Sequence, residues 1–504
     1  MRKIIILPAL LALAACSASP EEQAADARAA FAANDYAKAR ILAASALEAM
    51  PGNKELLLLQ ARSLLALGDG AGAGATLQKL ATSGGVPDQA ELTAEAALLR
   101  NAPQVARDAL AASTSSEADR LRGLAAIQDG DTAAAAGFFA KAVAVGDNAR
   151  AFADLARLRL MERDVATASQ LADQAAALAP QGIDTLLIKG QIALTKGDLK
   201  VALDTYSNAA KRYPTSLAAL TGEAAALGDL GRYKEMMAVA DTAAEVAPRN
   251  LQVAYLRARA GVAMKNWDLV RATVQPLEAE LPAIHPLRAL YAEALLRLDR
   301  SELAAAQLTP IVRAQPGNRQ VALLLAEARL TGKDAKGAMA ALQAIADSPQ
   351  ARPEELAMMA RAAKAAGDSR ADGYDRRAKS PSPQVVGGDL AEADAAIKRG
   401  DWAKAALAYE RILAVTKGGN PLVLNNMAYA QFMLGNHAAA LRYADQALKR
   451  MPDNASVLDT AGWVRFRAGQ DLENAKRLLR RAAEQAPQNK TIQMHLAEAT
   501  RTGG

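Results

Sequence analysis

Cysteine is almost absent from this chain. Cys16 is the only one in 504 residues, so no disulfide can form within it and stability must come from packing. Aromatic residues are also few, at 4%. That leaves little platform on which nucleic-acid bases or sugar rings could stack. Three histidines, His285, His437 and His495, lie far apart in the sequence. No HExxH segment links any of them to zinc, and no Walker loop or GxSxG elbow is present. No catalytic residue, metal or cofactor is therefore expected. Long hydrophobic runs are missing too. Ile4 to Ala15 is the longest and is too short to cross a bilayer as a helix.

What is abundant is periodicity. Pro180, Pro214, Pro248, Pro282 and Pro316 fall 34 residues apart. A fixed period of this length marks a stack of near-identical supersecondary units. Proline cannot sit inside a helix without loss of a hydrogen bond, so each one predicts a helix end. Twelve residues before each proline stand Ala168, Ala202, Met236, Val270 and Ala304. Five before stand Ala175, Ala209, Ala243, Leu277 and Ile311. Small or modest apolar residues in fixed columns let two helices approach closely. Turns such as Lys196-Gly197-Asp198-Leu199 and Leu230-Gly231-Arg232-Tyr233 separate the inferred helices, with glycine free to take the positive φ that ends one. The class predicted is all-α: a solenoid of helical hairpins that bury their faces against one another.

These columns resemble the tetratricopeptide repeat (TPR) family. The matching features are a Gly-Asp/Asn-aromatic turn, an alanine three residues on, another seven further and the closing proline. Asn34-Asp35-Tyr36 with Ala39, Ala46 and Pro51 opens the register. Gly130-Asp131, Gly332 with Asp334, Gly400-Asp401-Trp402, Gly435-Asn436-His437 and Gly469 with Pro487 continue it. About twelve repeats are counted, some degenerate, and residues 68–115 and 350–380 depart from the pattern. The register makes Trp267, Trp402 and His437 packing residues of the turn column. Trp463, on a first helix, is read as core. The resemblance implies a non-catalytic scaffold that binds protein partners along a groove lined by the first helix of each pair. By register that groove includes Gln191, Tyr255, Arg259, Asn425, Tyr429 and Phe432. Asn425 and Asn426 do not by themselves establish a carboxylate clamp.

The amino terminus reads as an address. Met1-Arg2-Lys3, the apolar run and Leu13-Ala14-Ala15-Cys16 resemble a bacterial lipoprotein signal peptide ending in a lipobox. Cys16 is expected to be lipidated. Ser17 after it resembles the outer-membrane-sorted kind, which places the mature chain in the envelope, facing the periplasm.

Four segments follow: a signal peptide over 1–15, a long array over 16–378, a Pro/Ser/Gly linker over 379–388 and a short repeat block with a capping helix over 389–504. Residues 361–504 carry 22 Lys/Arg against 15 Asp/Glu, within a chain of net +6. Their arginines and lysines are spread over several helices, so the basic residues read as solvated helix faces and no nucleic-acid partner is expected. Val423-Leu424-Asn425-Asn426-Met427-Ala428-Tyr429-Ala430 and Leu458-Asp459-Thr460-Ala461-Gly462-Trp463 are similar to the carboxy-terminal repeats of TPR lipoproteins of exopolysaccharide-export and PEP-CTERM systems. That implies polysaccharide-export machinery as a partner. A general envelope adaptor, in outer-membrane protein assembly or peptidoglycan maintenance, is the alternative. A glycan- or peptide-processing enzyme is the minor one.

Overall fold

The computed structural model describes residues 19–379, 383–416 and 418–501. The expected signal peptide and Cys16 lie outside the described residues. The chain divides between Asn266 and Trp267 into two compact units. The described part of the first unit is a run of helices: α1 (Pro20–Ala32), α2 (Tyr36–Ala49), α3 (Lys54–Ala66), α4 (Gly70–Thr82), α5 (Gln89–Leu99), α6 (Pro103–Ala109), α7 (Ser116–Gln128), α8 (Thr132–Ala144), α9 (Ala149–Met161), α10 (Val165–Leu178), α11 (Ile183–Lys196), α12 (Leu199–Arg212), α13 (Leu217–Asp229), α14 (Tyr233–Val246) and α15 (Leu251–Ala263). Each odd-numbered helix up to α13 forms a hairpin with the helix that follows it.

The second unit holds α16 (Trp267–Val274), a 3₁₀ helix (Gln275–Glu280), α17 (Pro286–Arg297), α18 (Ser301–Ala314), α19 (Arg319–Thr331), α20 (Ala335–Ala346), α21 (Pro353–Ala366), α22 (Ala371–Lys379), α23 (Pro383–Lys398), α24 (Trp402–Val415), α25 (Pro421–Met433), α26 (His437–Arg450), α27 (Ala455–Arg467), α28 (Leu472–Gln485) and α29 (Lys490–Arg501). Pairs α17/α18 to α27/α28 are hairpins, and α29 covers the last of them. No strand occurs among the described residues.

The proline column ends helices as expected. α10, α12, α14 and α18 each stop two residues before Pro180, Pro214, Pro248 and Pro316. The intervening C-cap leaves the helical region, at φ −142° and ψ 75° for Ala179, because a residue preceding proline clashes with its ring when helical. Before Pro282 the second helix is broken as well. Pro276 lacks the N–H a continued α-helix needs, and the chain runs on as the 3₁₀ turn.

Between the helices of most hairpins stands one left-handed residue. Gly197 sits at φ 81° and Gly231 at φ 73°. Asn34, Asn101, Arg163 and Lys333 fill the same role without glycine. In the hairpin expected to turn on Gly332, the left-handed residue is Lys333, at φ 62°, one place later. An aspartate then caps the second helix. The carboxylates of Asp35, Asp69, Asp131 and Asp164 each accept the N–H three residues on.

Residues 68–115 do not interrupt the array. They contain α4 and the α5/α6 hairpin, whose second helix is only seven residues long. Asn101 in the turn and Pro103 at the start of α6 hide it from a glycine-based register. Residues 350–380 likewise hold the hairpin α21/α22. In the segment expected as a linker, Lys379 ends α22 and residues 380–382 lie outside the described residues. Pro383 to Gly388 belong to α23. Arg352 and Arg411 both pair with Asp389 and Glu392 of that helix, which ties α21, α23 and α24 together.

The repeat columns form the core. Ala168, Ala202, Met236, Val270 and Ala304 are all fully buried, as are Ala175, Ala209 and Ala243. Two glycines matter for a second reason. Tyr206 of α12 lies against the backbones of α11 and α13 at Gly190 and Gly222, and a Cβ on Gly190 would stand 2.7 Å from its ring. Glycine in mid-helix costs about 1 kcal/mol relative to alanine. Here it opens a slot for the ring.

Trp463 is 7% exposed and stacks on His495 of α29, ring centroids 4.0 Å apart. His495 Nδ1 meets the Asp459 carboxylate at 2.9 Å. His495→Ala is expected to leave Asp459 without this partner and to destabilise the docking of α29 by about 1–3 kcal/mol. Hydrogen exchange should then quicken in α29 first. Unchanged protection there would refute this.

Candidate functional site: a concave cavity in the first unit

The carboxy-terminal ends of α1 and α3 and the amino-terminal parts of α5, α7, α9 and α11 border a cavity of about 630 Å³. Its walls come from these helices, from Tyr36 at the start of α2 and from residues 213–216 between α12 and α13. The far side closes where the chain returns on itself: Asn34 Nδ2 in the first turn donates to the Arg212 carbonyl at the end of α12, at 3.1 Å. Phe31, Tyr36 and Tyr213 form an aromatic wall. Phe31 and Tyr36 meet edge to face at 5.3 Å. The Tyr36 hydroxyl donates to Asn34 Oδ1 and the Tyr213 hydroxyl to the Gln181 carbonyl, each at 2.9 Å.

The rest of the lining is largely charged. Asp88, Glu91, Glu95, Glu117 and Asp184 line it, with Arg62 and Arg150. Arg150 reaches Glu95 at 2.5 Å, Glu117 at 3.1 Å and Asp184 at 3.5 Å. Behind it, Arg120 is 3% exposed and pairs with Glu117 at 2.7 Å and with Asp154, 7% exposed, at 2.8 Å. Arg157 also holds Asp154, at 2.5 Å. Arg120 and Asp154 stand 34 residues apart, one repeat period. The stacking of hairpins thus turns a sequence column into an ion-pair ladder.

Electrostatics follow from these partners. Burial pushes the Glu117 carboxyl up, but the Arg120 hydrogen bond and charge, with Arg150, outweigh it and hold Glu117 below its usual 4.5. Burial also raises Glu91, and hydrogen bonds from Ser113 and Ser115 overcome it to the same net effect. Asp184 goes the other way: burial raises it, and Arg150 offsets this only in part. For Glu117 and Glu91 the folded pKa lies below the unfolded one. Their contribution to stability is complete above pH 4.5 and is lost as pH falls through the lower folded values. The first unit is therefore expected to lose stability below pH 4.5. Glu117→Gln should flatten that acid limb in urea titrations across pH, and an unchanged limb would contradict the assignment.

The groove positions named from register all lie on first helices, but none lines this cavity. Gln191 is half-buried in α11. Tyr255 packs beside the core on α15, and Arg259 pairs with Asp229 at 2.7 Å. Asn425 is buried in α25, and its Oδ1 has no hydrogen-bond partner. Tyr429 sits between Trp402, at 5.6 Å, and Phe432, at 6.3 Å. Of the turn-column residues, Trp402 packs against a core cluster, Trp267 is half-buried, and His437 is exposed with its ring 5.8 Å from Phe432. His285 caps α17 by accepting the Leu287 N–H. A sequence signal for the cavity did exist: Glu117, Arg150 and Asp184 hold one position near the start of successive first helices. The groove positions expected from register lie further along their helices.

The tetratricopeptide-repeat family model matches residues 153–216, 291–353 and 390–455. These stretches are tetratricopeptide repeats. Most of α9, all of α10 to α12 and the turn after them fall in the first match. The hairpins on either side share the same construction, so the architecture is a TPR helical-hairpin array. Among solved structures, that of Pseudomonas aeruginosa PilF is 16% identical, over 41% of this chain and 94% of that one, at a TM-score of 0.38. PilW, described as a type IV pilus biogenesis factor, is 17% identical over 39% and 91%, at 0.36. The Cut9–Hcn1 assembly of the APC/C is 14% identical over 96% of each chain, at 0.28. TPR arrays are scaffolds for protein–protein interaction, and the cavity is a concave surface built from first helices of the hairpins.

Proposed function

We propose that this protein is a lipid-anchored envelope scaffold that docks a partner protein in the concave cavity of its first unit. One observation carries the docking reading: six successive first helices border one ligand-sized cavity, and Tyr36 and Tyr213 from the ends of second helices join Phe31 in its aromatic wall. Pockets that hold ligands run from about 300 to 1,000 Å³. Multivalent recognition fits the rest of the array, since each added hairpin extends the surface available to a partner. Among the described residues no helix is long and apolar enough to cross a membrane, and the anchor is assigned to Cys16 on its Leu-Ala-Ala-Cys context. The block after Gly388 supports a setting in an exopolysaccharide-secretion complex through its sequence likeness alone.

Photo-crosslinking from Leu65, Glu91 and Ile183 in cells should capture the same partner at all three cavity positions, and none from the exposed Ile41. An identical pattern at Ile41 would defeat the docking reading. Cys16→Ser should release the chain from the membrane pellet after high-salt washing. Retention of the mature variant in that pellet would defeat the anchor.

A further inference from the structure

The cavity carries more negative charge than its own arginines answer. Arg62 is taken by Asp88 at 2.7 Å. Arg150 is divided among Glu95, Glu117 and Asp184. Glu91 shows no ion pair among the described residues: its Oε1 accepts only the hydroxyls of Ser113, at 2.6 Å, and Ser115, at 2.7 Å. Among the described residues the one ion pair of Asp184 is with Arg150 Nε, at 3.5 Å. Surplus carboxylate charge therefore lies on α5 and at the start of α11, and both groups line the same cavity as Phe31, Tyr36 and Tyr213.

We propose that the cavity receives an extended partner segment bearing lysine or arginine, with its cationic heads at Glu91 and Asp184 and its aliphatic stems against the aromatic wall. This rests on the docking reading above and deepens it by naming the ligand chemistry. A carboxylate with no cation of its own gains a charge-assisted hydrogen bond when one arrives. Aromatic faces attract the same cations, and they shelter the methylene stems that such side chains carry. An acidic segment would meet like charge on most of the charged wall. The volume exceeds what a single side chain fills, and the closure at Asn34 and Arg212 gives the cavity a boundary suited to a chain segment and not to a globular face.

The test uses the purified full chain and two short labelled peptides of matched length, one with Lys and Arg alternating with Leu and Ala, the other with Glu and Asp in place of the basic residues. Fluorescence anisotropy should report binding of the basic peptide alone. The affinity should fall about tenfold or more from low salt to 0.5 M, as expected for contacts that the Debye length screens. The combined variant Glu91→Gln, Asp184→Asn should weaken binding about tenfold at low salt, a change of about 1.4 kcal/mol. Glu91→Lys should abolish it, with thermal unfolding used to confirm that each variant is folded. Equal binding of both peptides, or unchanged affinity in the folded double variant, would overturn the proposal. So would binding of spermidine with no binding of the basic peptide, which would mark a site for small polyamines. The two readings fail separately. A partner crosslinked at the cavity through a segment without lysine or arginine ends this proposal and leaves docking intact, whereas no common partner at any cavity position ends both.

Discussion

Arg120→Ala is expected to destabilise the first unit by about 3–5 kcal/mol. Arg120 is 3% exposed and holds two carboxylates, Glu117 and Asp154. Removing it strands Asp154, which is 7% exposed, with Arg157 alone. Burial of a charge without sufficient partners accounts for the loss; the ion pair as such contributes far less. The companion experiment separates these two terms. Arg120→Met combined with Asp154→Leu removes the buried charges together and should recover most of the lost stability in urea unfolding. If the double variant were as unstable as Arg120→Ala, packing of the guanidinium and not its charge would be responsible.

Tyr206→Ala should destabilise by a comparable amount, about 3–5 kcal/mol, because a buried ring leaves a cavity that the flanking helices cannot fill. The glycines around it provide a sharper check. In the native chain Gly190→Ala should destabilise by about 1–3 kcal/mol, since the new methyl would overlap the Tyr206 ring. In the Tyr206→Ala background the same substitution should become stabilising, by up to about 1 kcal/mol, because the clash is gone and only the helical preference for alanine remains. A double-mutant cycle reads this reversal directly. An additive cycle would mean that the ring and the glycine do not constrain one another.

These two expectations show unequal legibility in the sequence. The partner of Gly190 could not be found by period alone. The glycine belongs to a first helix and Tyr206 to the following second helix, and only the crossing of α11 with α12 sets the ring on that backbone. Arg120 and Asp154 stand one period apart, so their meeting was implied by the repeat. Their burial was not, since nothing in a polar residue's spacing says which face a neighbouring hairpin covers. The short hairpin α5/α6 escaped for a local reason: Asn101 takes the left-handed turn in place of glycine, and α6 ends at Ala109 after only seven residues.

The helical period, the ends of the second helices at their prolines and the alanine columns of the core are all legible in the order of residues. Those features depend on interactions within one hairpin or between nearest neighbours, and these repeat with the chain. The place of the cavity follows from how the hairpins stack and is not legible in that order. Closure through Asn34 and Arg212 joins residues 178 positions apart, and it depends on small rotations accumulated over six hairpins. No local pattern encodes that sum, and it is what brings Glu91, Asp184 and the three aromatic rings to one surface.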